Sequence, residues 1–280
     1  MEEEVKYLVA FATLPELGSQ RAKLLIDYFG SAEKAWKASS GELIRTGLLD
    51  KLVKLLINKR SILNVDKYVD NLQKRNIKVF NFHEKNYPDP PLFLFLLGRM
   101  PKINKAISVV GTRQITSYGS LVTSKLVTGL VEKGYVIVSG MAVGVDTVAH
   151  ETTVKNNGAT IAVLGAGVDI CYPKSNQWLY ESILKNKGAI ISEWGPGVIV
   201  PREIFPTRNR IIAGLSKAVL ITEAGIHSGS MITARYALDQ GKQVFVVPGP
   251  IDSPVSEGTN YLVKQGAIPV TDIDDILSQL

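Results

Sequence analysis

The chain has 280 residues, 45% of them hydrophobic, with 32 Lys and Arg against 26 Asp and Glu and a formal net charge of +6. That length can bury one full α/β core and leave a small extra module, so two domains is the economical reading. The single Cys171 excludes an intramolecular disulfide and a thiolate zinc cluster, and no apolar run is long enough to span a membrane.

In chain order, Tyr7–Leu14 is apolar but follows three glutamates, the wrong charge for an export signal. With the cysteine usage this predicts a soluble, cytoplasmic protein. Leu17-Gly18-Ser19 reads as a tight link, Gln20–Tyr28 as an amphipathic helix, Phe29-Gly30-Ser31 as its end and Ala32–Ala38 as the next helix. Leu14, Leu17, Leu24, Leu25 and Phe29 are accounted for as core. We place an all-helical domain over residues 1–62 and a sheet domain over 63–280. The sheet domain opens with a lead-in helix, Tyr68–Lys74, an extra strand, Ile77–Phe82, and a turn at Tyr87-Pro88-Asp89-Pro90-Pro91. Charge divides the chain as well. Through Lys105 there are 18 Lys and Arg against 12 Asp and Glu, and from Ala106 onward 14 against 14. A lysine surplus on a helical module is compatible with polyanion encounter and equally with solvated surface.

Beyond the turn, six short apolar runs recur: Ala106–Val110, Tyr135–Val138, Thr160–Leu164, Ala189–Ile191, Ala218–Ile221 and Val244–Val247. They are continuous in Val, Ile and Leu, the pattern of parallel strands buried on both faces, and helix-compatible stretches separate them. The fold class expected is α/β: an extended Rossmann-like parallel sheet with helices on both faces, preceded by the small all-helical domain. In such sheets ligands sit at the carboxyl ends of the strands, beside helix N-termini. The residues at those ends are rich in Gly, Ser and Thr and poor in catalytic acids and bases.

Basic residues stand among them. Arg113 follows the first run, Lys174 sits in the loop after the third, and Arg208 and Arg210 precede the fifth, with Phe205 three residues upstream of Arg208. Arginine forks hold phosphates, lysine acts as a point charge and an aromatic face stacks a base, so the set fits an extended single strand. Thr207 reads as the N-cap of a helix through Leu215. Two arginines in its first turn would oppose the helix dipole unless an anion is bound; the alternative is pairing with Glu193 or Glu223. Gly225–Ala234, with Ser228 as a cap, reads either as a phosphate cradle or as a capped glycine turn, and Ser139–Asp146 reads the same way. Asp146 and His150, four apart, read as a structural pair that holds this loop.

No Gly-x-x-x-x-Gly-Lys-Ser/Thr loop occurs, and Gly165-Ala166-Gly167 lacks the third glycine of a dinucleotide fingerprint. His83, His150 and His227 lack metal-ligand spacing and the carboxylates are scattered. No cofactor is expected, and a binding protein is favoured over an enzyme. The competing reading is a nucleotide-phosphate-binding enzyme resembling nucleoside monophosphate hydrolases, whose usual Pro-Gly-Gly-x-Gly-Thr is not reproduced by Pro248-Gly249-Pro250 or Gly225–Ser230. A pure protein-interaction scaffold is a third.

Val110-Gly111-Thr112-Arg113, Ser139-Gly140-Met141-Ala142, Ala162-Val163-Leu164-Gly165, the block from Phe205 to Ser216 and Ser228-Gly229-Ser230 occur in that order. Together they resemble the DNA processing protein A (DprA/Smf) family, from about Tyr87 to Ala267. The resemblance implies an extended Rossmann fold that binds single-stranded DNA without sequence preference, forms a homodimer and loads RecA recombinase onto DNA coated with single-strand-binding protein during natural transformation. Carried over by position, the strand-binding set comprises Gly111, Arg113, Ser139, Gly140, Lys174, Phe205, Arg208, Asn209, Arg210, Ser228, Gly229 and Ser230. Val143 and His227 depart from the usual basic residues. The N-terminal helices resemble a helix-hairpin-helix unit in a sterile-alpha-motif-like domain, suited to DNA or to a protein partner. The winged-helix module of many members is expected to be lacking, because the chain ends at Leu280 soon after Thr271–Ile276.

Overall fold

The computed structural model describes residues 3–80 and 89–280. Six helices come first: α1 Glu3–Phe11, α2 Gly18–Phe29, α3 Ala32–Lys37, α4 Ser40–Arg45, α5 Asp50–Ile62 and α6 Val65–Lys74. Local chemistry sets their ends. Gly30 closes α2 in the left-handed region (φ 81°), Ser31 accepts from the Lys34 amide to start α3, and Ser39 with Glu42 forms a reciprocal capping box on α4. The expected link at Leu17-Gly18-Ser19 is shorter than anticipated, since α2 begins at Gly18. Phe11, Leu14, Leu17, Ala22, Leu25, Trp36, Leu43 and Leu56 close one helical core. Leu24 is corrected to surface, 67% exposed, because α2 buries the stripe of Ala22 and Leu25 and adjacent leucines cannot both lie on it.

The sheet comprises β1 Lys78–Phe80, β2 Leu94–Gly98, β3 Ala106–Val110, β4 Val136–Ser139, β5 Thr160–Val163, β6 Ala189–Ser192, β7 Ala218–Ile221, β8 Gln243–Val246 and β9 Ile268–Pro269. Its helices are α7 Ser117–Glu132, α8 Val145–Lys155, α9 Gln177–Lys185, α10 Asn209–Gly214, α11 Gly229–Asp239, α12 Glu257–Lys264 and α13 Asp274–Leu277. All six expected runs are strands, to within a residue or two at their ends. The sequence reading did not anticipate β2 or β9. Of the expected strand over Ile77–Phe82, Lys78–Phe80 forms β1 and Ile77 precedes it; residues 81 and 82, with His83, Tyr87 and Pro88, lie outside the described residues.

Strand order is β1-β2-β6-β5-β4-β3-β7-β8-β9, antiparallel at β1, β2 and β6 and parallel from β6 to β9. This is the expected Rossmann-like α/β architecture, widened by the antiparallel pair. Period-two alternation feeds two layers. Ala106 and Val110 of β3 meet Ile211, Ala213 and Leu215 near α10 and Ala234 and Ala237 of α11, whereas Ile107 and Val109 meet Leu126 and Leu130 of α7 and Ala149 of α8. From β3 the chain winds outward through β4, β5 and β6, then returns to place β7 on the other side of β3. The carboxyl ends of β3 and β7 therefore form the topological switch point, where open α/β sheets leave a crevice.

Candidate functional site

A groove of about 710 Å³ occupies that crevice. One wall is the loop after β3, Gly111 to Gln114; the other is the start of α11, Ser228 to Ser230, with Phe205, Arg208 and Asn209 between them. A second hollow of about 140 Å³, floored by Leu164, Gly165 and Ala166 after β5, shares Arg113, Phe205 and Arg208 with the groove. The rings of Phe205 and Tyr172 meet edge to face in its wall, with centroids 5.7 Å apart. Cationic, aromatic and helix-N-terminal chemistry thus converge on one strip of surface.

Close packing aims Arg208. Its Nη1 donates to the Val163 carbonyl at 2.5 Å, Nε donates to Asn209 Oδ1 at 3.3 Å, and Nη2 stands 3.6 Å from Asp146 Oδ2. A Cβ at Gly140 would collide with this guanidinium, and one at Gly165 would stand 2.7 Å from the Phe205 ring. Both glycines are required by the close approach of a side chain. Burial lowers the Arg208 pKa from its ordinary value, with Asp146 opposing, yet the guanidinium stays charged at any working pH. Burial also pushes the Asp146 carboxyl up, against the pull of Arg208 and of the Ala142 amide that donates to it at 3.2 Å.

Arg113 is exposed on the opposite lip. At the far wall Ser228 caps α11 by accepting from the Ser230 amide at 3.3 Å, and Asn209 Nδ2 donates to the Gly229 carbonyl at 3.1 Å. The first turn of an eleven-residue helix is thereby held facing the groove, where its N–H groups and dipole favour an anion.

Of the twelve site residues named from the sequence, Gly111, Arg113, Phe205, Arg208, Asn209, Ser228, Gly229 and Ser230 line the groove. Ser139 and Gly140 lie beneath it: Ser139 is buried and donates to the Val109 carbonyl at 2.6 Å, while Gly140 leaves room for Arg208. Lys174 is exposed beside Tyr172 and Pro173, which line the smaller hollow.

Arg210 is a correction. Its side chain is only 4% exposed, and it bonds Glu193 at 2.6 Å, Asp89 at 3.0 Å and Ser19 at 3.1 Å instead of facing the groove. Pairing with Glu193, the alternative raised from the sequence, is what forms. The expected Thr207 cap is also absent, since a 3-10 turn runs over Arg202–Arg208, the Thr207 hydroxyl donates to Ile204 O at 2.7 Å, and α10 starts only at Asn209. Two residues apart on the helix, Arg208 and Arg210 point to opposite sides.

Glu223 serves another purpose: its carboxylate accepts from Thr116 N at 3.0 Å and Thr116 Oγ1 at 2.5 Å, at the start of α7. Sequence reasoning missed Tyr172, although Lys174, two residues on, was chosen from the same loop. It also missed Thr112 and Gln114 in the wall, neutral residues that only the tertiary fold marks out. His227, noted as a departure, does line the groove.

Asp146 and His150 hold the loop separately, not as a mutual pair. His150 is buried, its Nε2 2.5 Å from the Gly140 carbonyl and its Nδ1 2.6 Å from Thr160 Oγ1. The carbonyl can only accept, which puts the proton on Nε2. Burial pushes this imidazole down from 6.5 to about 4. As pH falls through that interval the unfolded chain takes up a proton that the folded chain refuses, so stability should drop by about 3 kcal/mol. Urea unfolding between pH 7.5 and 4 tests this: the slope should flatten in His150→Gln, and a variant that keeps it would place the acid sensitivity elsewhere.

With the geometry in place, comparison with known proteins identifies the family. The sequence model of the family described as DNA recombination-mediator protein A matches residues 76–280. The chain belongs to this family. Protein Smf of Synechocystis sp. is 36% identical over 99% of this chain and 73% of its own length. Protein Smf of Escherichia coli is 44% identical over 69% of this chain and 52% of its own. Among solved structures, DNA processing protein A from Streptococcus pneumoniae has a TM-score of 0.79 at 32% identity, covering 98% of each chain. DNA processing protein A from Helicobacter pylori, the subject of a study of its single-stranded DNA binding mode, has a TM-score of 0.66 at 31% identity over 72% of this chain and 94% of its own. The resemblance drawn from the motifs stands, and the fold extends it to the N-terminal helices. Among the described residues no helix is long and apolar enough to cross a membrane.

Proposed function

We propose that this member of the recombination-mediator family binds single-stranded DNA along the groove at the β3/β7 switch point, as a cytoplasmic, non-enzymatic mediator that loads RecA. The observation that carries the reading is the convergence of Arg113, Arg208, Phe205 and the α11 N-terminus on one open strip. Phosphates would lie against the two guanidinium groups and the free N–H groups of α11. Bases would turn toward Phe205 and Tyr172, where stacking contributes about 1–3 kcal/mol per base irrespective of sequence. Lys174 would meet the backbone as it leaves the smaller hollow.

The carboxylates around the groove support binding over hydrolysis. Asp146 faces Arg208, Glu223 is engaged by Thr116, and Glu257 is exposed at the rim. Loading of RecA onto strands coated with single-strand-binding protein, and action as a homodimer, are the functional context that membership of a recombination-mediator family favours.

The test is fluorescence anisotropy of labelled oligothymidylate of increasing length, followed by RecA filament assembly on a strand coated with single-strand-binding protein. Affinity should rise with length, tolerate any base, and fall with salt by about 0.7 log units per log unit for each phosphate engaged. Filament assembly should be faster with the protein than without it. Failure to bind at 50 mM salt, with release of free base from a mononucleotide, would replace this reading with the hydrolase one.

A further inference from the structure

Among the described residues, the Arg210 guanidinium joins Ser19 at the start of α2, Asp89 ahead of β2, and Glu193 just past β6. It does so from α10, whose N-cap residue is the groove arginine, Arg208. The backbone of α10 is held from the sheet domain along its length. Ser108 in mid-β3 donates to the Ile212 carbonyl at 2.7 Å, Gln240 Nε2 to the Arg210 carbonyl at 3.1 Å, and Lys242 Nζ to the Gly214 carbonyl at 2.6 Å. With the backbone held there, the side-chain contacts of Arg210 govern how the start of the helix presents Arg208.

We propose that Arg210 is a positioning residue through which Ser19 of the N-terminal helical domain, together with Asp89 ahead of β2, sets the conformation of the strand-binding groove. This rests on the groove reading above. The helical domain then acts on the groove without touching the strand, and by reciprocity a strand in the groove tightens the helical domain's hold. Other anchors keep the domains together when the clasp is cut: Lys6 pairs with Asp66 at 3.0 Å, and Leu92, ahead of β2, packs against the helical core. Val9 and Ala12, at and just past the end of α1, pack into the core under the sheet as well.

The experiment uses the full chain carrying Ser19→Ala/Asp89→Ala, which removes two of the described partners of Arg210 and keeps Glu193. Hydrogen–deuterium exchange should speed up over residues 202–214 and stay unchanged in β4 and β5. Oligothymidylate affinity should fall about fivefold, at the lower end of coupling between sites. The salt slope should hold, because no phosphate contact is lost. Asp89→Glu alone should bind as the wild type does. In the wild type, oligothymidylate should slow exchange over residues 17–24. Unchanged exchange over 202–214 in the double variant overturns the proposal, as does unchanged affinity where the wild type binds. If the wild type does not bind oligothymidylate, the groove reading fails by itself, and the exchange measurement still decides whether the clasp holds α10.

Discussion

Replacing Arg113 and Arg208 together by alanine is expected to weaken oligothymidylate binding about a hundredfold at 0.15 M salt, from two charged hydrogen-bonding groups at about 1.5 kcal/mol or more each. The salt slope should fall by about 1.4, since two phosphate contacts disappear. The single variants separate the contributions. Arg113 is exposed, so its removal should reduce affinity and slope with little effect on folding. Arg208 stands against Asp146, whose side chain is only 8% exposed, so Arg208→Ala leaves that carboxylate without its cation. Burial already raises the Asp146 carboxyl, and without Arg208 it rises further, so this variant should also lose stability. Arg208→Lys retains the charge and loses the fork. It should keep the slope while affinity falls, because lysine is a point charge and cannot make two parallel bonds. If both alanine variants bind with wild-type affinity and slope, the strand lies elsewhere on the molecule.

Arg210→Met should destabilise the fold by about 3–5 kcal/mol, read as a shift of the urea unfolding midpoint at pH 7.5. Arg210 is 4% exposed and Glu193 9%, so removing the cation strands a buried carboxylate, whereas Asp89, at 34%, regains water. The asymmetry predicts a partial rescue. Arg210→Met/Glu193→Gln exchanges the stranded charge for a neutral amide and should recover more than half of the loss, since replacing both members of a buried pair is far milder than removing one. A double variant no more stable than Arg210→Met would mean that the stability resides in packing of the arginine stem, not in the ion pair. The contrast with Arg113 separates two uses of arginine: one kept open for a ligand, one consumed by the fold.

The sheet was legible in the sequence because a strand buried on both faces must be apolar at every position, and six such runs at crossover spacing admit few arrangements. Gly111 to Arg113, Arg208 and Ser228 to Ser230 could be placed at one edge for the same reason, as residues that directly follow strands or open helices, and Phe205 from its place just ahead of Arg208. What lay beyond reach depended on distance in space. Nothing near Arg210 in the sequence distinguishes it from Arg208; their division follows from Glu193, 17 positions earlier, and Ser19, 191 positions earlier, being brought to one side of α10. The same holds for Glu223, which tertiary packing sets over the start of α7 and not against an arginine. His150 and Asp146, four apart on one helix, suggested a pair by spacing, yet the Gly140 carbonyl just past β4 and the Thr160 hydroxyl of β5 are the better partners. Strand β2 escaped notice because antiparallel pairing to β6 leaves no crossover to signal it. The sequence by itself determined the six central strands and which chemistry reaches the switch point, since periodicity and strand ends are local properties of the chain. Which charges remain free to meet a ligand was decided by the tertiary structure alone, because a charged side chain is neutralised by whichever partner the fold delivers, at any separation along the chain.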